Sequence, residues 1–109
     1  MIDNPQLMER LLTKLQAALP ISARVMPEVA AALQAESPTS EVPPACLITW
    51  VSYAGDEGGI VCRLDFARET KKQVFASITH LRFDPGLPLA REITAYQKRR
   101  VKRLRHQHL

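Results

Sequence analysis

IVCRLDFA, residues 60–67, alternates apolar and polar side chains with a period of two, setting Ile60, Cys62, Leu64 and Phe66 against Arg63 and Asp65. A strand projects successive side chains to opposite faces, so this spelling predicts a half-buried strand whose four apolar residues face a core while the charged pair faces water. Its neighbours read the same way. CLITWVSY (46–53) is rich in β-branched and aromatic residues, and QVFASITHLRF (73–83) makes a third run. The link AGDEGG (54–59) holds three of the four glycines, where a reversing chain needs positive φ, and the polar RETKK (68–72) makes the second reversal. The three runs are expected to form an antiparallel meander over residues 45–83.

Helices flank the meander. Asn4 and Pro5 form an N-cap and first-turn pair, and Met8, Leu11, Leu12, Leu15 and Leu19 recur at helical spacing until Pro20. Pro27 opens a second helix with Val29, Ala30 and Leu33 on one side, giving a helical segment over 1–36. SPTSEVPP (37–44) is too rich in proline to continue it and serves as the connector. DPGLP (84–88) turns the chain into a final helix over 87–107, with Leu89, Ile93, Tyr96, Val101 and Leu104 on one side. The fold class that follows is α+β in a single domain of 109 residues: N-terminal helices, a three-stranded antiparallel meander, and a long amphipathic C-terminal helix packed on the sheet.

Charge is distributed unevenly. Up to residue 95, nine Lys and Arg stand against eleven Asp and Glu, whereas the last fourteen residues add six cations and no acid, so the whole net charge of +4 comes from one end. On a helical wheel Lys98, Arg99, Lys102, Arg103 and Arg105 spread over the exposed arc. Arg100 falls within the apolar side and has to pair or snorkel. Cations late in a helix complement its dipole, which accounts for two or three of them, but six without an interleaved acid repel one another. Such an excess points to an anionic partner. Arg forks onto phosphate oxygens, while an interfacial membrane helix calls for more large apolar residues opposite its charges, so RNA or DNA is the preferred anion.

Other candidates have plainer explanations. Asp56 and Glu57 could act as an acid and base beside His80, which symmetric pairing of the second hairpin would set opposite Ile60; Asp between glycines is also favoured for turn geometry alone. Cys46, Cys62 and His80 have ligand chemistry but no metal-site spacing, and His106 and His108 do not share a helical face, so no metal or cofactor is expected. The two cysteines read as buried thiols. Trp50 and Tyr53 could stack bases together with Phe75 or Phe83, although a core role is the commoner use of aromatic residues. No run approaches the roughly 20 apolar residues of a membrane span, and no basic region leads into an apolar signal, so a soluble cytoplasmic chain is expected.

The order helix, three-stranded meander, helix over residues 22–109 resembles that of double-stranded RNA-binding domains. That family begins its last helix with lysines, whereas this chain has DPGLPLARE there and its cations at the far end, so the resemblance implies a fold and no binding residues. The expected function is a small non-enzymatic binding module contacting nucleic acid through its C-terminal helix. The alternative is a protein-interaction or homodimeric module acting through its sheet face, and a weaker alternative is a small enzyme using Asp56, Glu57 and His80.

Overall fold

The computed structural model describes residues 3–36, 45–56, 58–66 and 74–107. The connector 37–44, the reversal 68–72, Glu57 and His108 lie outside these residues. In chain order the elements are α1 (Pro5–Ala18), β1 (Ile21–Val25), α2 (Pro27–Glu36), β2 (Ala45–Tyr53), β3 (Ile60–Asp65), β4 (Val74–Ser77), a single 3-10 turn (Ile78–His80), β5 (Leu81–Arg82) and α3 (Ala90–Gln107).

The fold is α+β, but the sheet has five strands where the sequence predicts three. All neighbouring pairs are antiparallel, in the order β4-β3-β2-β1-β5. Two differences produce the larger number. Ile21, Ala23 and Val25 alternate with exposed Ser22 and Arg24 to form β1, inside what reads as a helical segment. The run 73–83 is broken by its 3-10 turn, so that Val74–Ser77 pair with β3 while Leu81 and Arg82 cross to β1. The three-stranded order behind the likeness to double-stranded RNA-binding domains is therefore not the order seen.

That crossing dictates the shape of the sheet. Five flat strands would set β4 and β5 about 19 Å apart at ~4.8 Å per strand. Only Ile78–His80 separate Ser77 from Leu81, a gap that even fully extended chain spans to no more than about 14 Å and a 3-10 turn spans to less. The sheet has to curl until its edges approach. An irregularity in the β2–β3 pairing between Ile48 and Trp50 has the pattern of a bulge, which adds local twist.

The inner face is the core. Ile60, Cys62, Leu64 and Phe66 are all buried as their alternation predicts, Asp65 is exposed and Arg63 half-buried. Met8, Leu11 and Leu15 of α1 and Ile93 and Tyr96 of α3 join the same core, with α1 against β2 and α3 against the 3-10 turn. Asn4 caps α1, its Oδ1 accepting from the backbone N–H groups of Gln6 and Leu7 at 3.0 and 3.2 Å. Among the described residues no helix is long and apolar enough to cross a membrane.

Candidate nucleic-acid interface

The C-terminal helix sorts its seven cations into two kinds. The apolar side runs Ile93, Tyr96, Arg100 and half-buried Leu104, while Val101, expected on this side, is 41% exposed. Arg100, which the sequence also places within the apolar side, is only 2% exposed. Burying a guanidinium requires a partner, because desolvation costs several kcal/mol. Asp3 supplies it: Arg100 Nη1 donates to Asp3 Oδ2 at 2.9 Å, and Nη2 donates to the carbonyl of Asp56 in the β2–β3 turn.

The same carboxylate oxygen accepts from Tyr96 Oη at 2.9 Å, and that hydroxyl accepts from Ile60 N–H at 3.2 Å. Burial pushes the Tyr96 hydroxyl up from its ordinary pKa, and its hydrogen bond to Asp3 and the carboxylate's charge add to the shift. Gly59 permits this closeness. Its φ is +63°, and a Cβ there would lie 2.7 Å from both Arg100 Nε and Tyr96 Oη. Tyr53 Oη is buried nearby and has no hydrogen-bond partner among the described residues; burial, then the charge of Asp3, raises its pKa. This cluster joins the chain's third residue, the β2–β3 turn and α3, which makes Arg100 structural.

Lys98, Arg99, Lys102, Arg103 and Arg105 all lie exposed. At about 100° per residue, Lys98, Lys102 and Arg105 fall within roughly 60° of one another, and exposed Arg91, the second residue of the helix, falls in the same line. Arg99 and Arg103 sit on the flank towards α1. Arg99 lines the groove between the helices with Leu7, Arg10 and Lys14, and Arg103 lines a small recess with Asn4 and Leu7. Lys14 is neutralised by Glu92 at 2.7 Å, both side chains being about half exposed. Lys98, Arg99, Lys102 and Arg105 form no ion pair among the described residues.

The other candidates separate. The β3–β4 ladder pairs Val61 with Ser77 and Cys62 with Ala76, and it ends at Ser77. His80 is therefore not opposite Ile60: it closes the 3-10 turn, exposed, with its carbonyl accepting from Met26 N–H at 3.1 Å beside β1. Asp56 contributes its backbone carbonyl to Arg100. Cys62 faces Val51, five residues along β2 from Cys46, and both thiols are free and buried. Burial pushes Cys46 up to about 11 and Cys62 up to about 12. Among the described residues no three His, Cys, Asp or Glu side chains are grouped to hold a metal.

The aromatic residues divide by face. Tyr53 and Phe83 are half-buried against the core, whereas Trp50 and Phe75 are 43% and 50% exposed on the outer face of the sheet, in a T-shaped contact with ring centroids 6.0 Å apart. The shift of strand phase at the bulge is the sequence signal for Trp50. Cys46 and Ile48 face inward, then Val51 does, and the odd interval places both Thr49 and Trp50 outside opposite Arg63. No protein-family model, curated protein or solved structure matches the chain.

Proposed function

We propose that the protein is a small non-enzymatic binding module that holds a nucleic acid, RNA or DNA, on the solvent side of α3. The observation that carries this reading is the sorting of the C-terminal cations: the chain buries and pairs Arg100 while Lys98, Lys102 and Arg105 lie at the surface in line with Arg91, and Arg99 and Arg103 lie exposed on the flank towards α1. Residues 91 to 105 span about 21 Å of helix at 1.5 Å per residue, a length over which several phosphates of one backbone can be met. Dipole complementation needs only the last turn, so it leaves Arg91 and Lys98 unexplained.

Affinity for such a partner is mainly electrostatic. Log K falls against log salt with a slope near 0.9 per phosphate contacted on duplex DNA, or about 0.7 on a single strand, and roughly three to five cations can engage together. Reversing Lys98, Arg99, Lys102 and Arg103 to Glu removes the attraction without touching the buried stripe. The expected result is loss of binding to RNA and DNA at low salt with an unchanged urea midpoint. Equal binding by the reversed and native proteins in a salt titration sinks the reading.

A further inference from the structure

The outer face of the sheet carries a second set of features that α3 does not explain. Trp50, Arg63 and Phe75 lie side by side across β2, β3 and β4, since Arg63 is in register with both aromatic residues. Arg63 is steadied by the bulge, its Nε donating to Thr49 Oγ1 at 3.1 Å. In a T-shaped pair each ring keeps at least one face clear of the other, and both rings here are about half exposed. Leu47, 41% exposed, continues the apolar surface towards β1.

The far end of the same face carries a pair of arginines. Arg24 and Arg82 are direct cross-strand partners, both exposed, at the side of an open hollow of about 700 Å³ that Leu47, Asp65 and Phe83 also line. Like charges directly opposite one another weaken a strand pair, so sheet stability does not call for two arginines there. Along this face Arg24, Arg63 and Arg82 stand against Asp65 and, at the rim of the hollow, Asp84, an excess of one cation.

We infer that the outer sheet face is a surface for single-stranded nucleic acid, with bases stacking on Trp50 and Phe75 and the backbone running past Arg63 towards Arg24 and Arg82. Flat apolar rings need a flat apolar partner, and a surplus of guanidinium groups needs an anion. Unpaired bases on a phosphate backbone supply both. A second copy of the chain fits less well, because a two-fold axis through the patch would set this positive surface against itself. A duplex fits less well because its bases are already stacked. The surface lies across the sheet from α3, and neither site depends on the other.

Trp50 is the sole tryptophan, so its fluorescence reports this face in the unaltered protein. The experiment titrates the protein at low salt with an oligothymidylate of about twelve nucleotides, a footprint usual for small single-strand binders, following Trp50 emission and the anisotropy of labelled oligonucleotide together. Saturable quenching is expected in step with binding. In a protein with Lys98, Arg99, Lys102 and Arg103 reversed to Glu, Phe75→Ala, and Trp50→Ala read by anisotropy, should each weaken affinity about 5- to 150-fold, the loss of one stacked base. Phe75→Leu keeps the apolar volume and gives the same direction should the alanine variant fold poorly. Binding that leaves Trp50 emission unmoved, a duplex of equal charge that quenches Trp50 at equally low concentration, no binding at low salt, or a dimer abolished by Trp50→Ala each overturn the inference. With Lys98, Arg99, Lys102 and Arg103 all reversed to Glu, persistent quenching shows the sheet surface acting alone. Lost binding in that variant, with Trp50 silent in the native protein, leaves α3 as the site and removes this one.

Discussion

Arg100 shows how one side chain can be both a cost and a constraint. Its charge is desolvated, and the return comes from geometry: one bond to Asp3, one to the Asp56 carbonyl, and a neighbouring tyrosine on the same carboxylate oxygen. Removing one member of such a pair leaves a buried charge uncompensated, so Asp3→Ala should destabilise the protein by about 3–5 kcal/mol. Arg100→Met alone strands the carboxylate and should also be costly. Combining Arg100→Met with Asp3→Asn removes both charges and should recover much of the loss. Urea unfolding of the native, Asp3→Asn, Arg100→Met and doubly substituted proteins closes the double-mutant cycle, with Asp3→Ala measured beside it. An Asp3→Ala cost below about 1 kcal/mol would mean that the guanidinium reaches water instead. The sequence indicates that Arg100 has to pair or snorkel, because its place on the wheel is fixed by helical periodicity. It does not name Asp3, which lies 97 residues away and is joined only by the tertiary fold.

At the scale of elements, legibility follows the length of the periodic signal. The helix α1 and the alternation in β3 stand where the sequence places them, because each carries several periods of pattern and a cap, proline or glycine at an end, while α2 follows from Pro27 and a single short apolar stripe. The five residues of β1 carry barely two periods between two prolines, and its small Ser22 and Ala23 are weak strand formers, so the segment reads as a link between helices. The alternation is nevertheless present and it is testable. Ala23 is buried between β2 and the core, whereas Ser22 is exposed. Ala23→Glu should bury an unpaired carboxylate and cost several kcal/mol, a large part of the roughly 5–15 kcal/mol that holds a domain together. Ser22→Glu, one residue away, should stay within about 0.5 kcal/mol. Equal effects in thermal or urea unfolding would deny the two-sided placement of this strand. The basic face of α3 is legible from composition alone, while the outer sheet surface needs the bulge and the cross-strand register that place Trp50 beside Arg63 and Phe75.

Across the whole molecule, the curl depends on how β4 passes to β5, and the polar groups of that passage have to be satisfied. Gln97 does much of this from α3. Its Nε2 donates to the carbonyls of both Ile78 and Leu81 at 2.7 Å, one at each end of the 3-10 turn. The Ile78 carbonyl also accepts from the Leu81 N–H, so the Leu81 carbonyl depends more on the amide. The arrangement ties the last helix to the corner where the two edges of the sheet approach, and through β5 to β1. Gln97→Leu keeps approximate volume and removes both donors, leaving a partly buried carbonyl short of a partner at a cost of about 1–3 kcal/mol. Gln97→Glu removes the donors and adds a charge facing two carbonyl oxygens, so it should cost more. Because the bonds lie at the crossover, the loss should be local before it is global. Amide exchange should accelerate at Val25, Met26, Leu81 and Arg82, while the β2–β3 ladder keeps its protection until global unfolding sets the rate. Exchange that speeds up uniformly across the sheet would show that the crossover has no independent opening, and a Gln97→Leu protein as stable as the native one would show that water replaces the amide without loss.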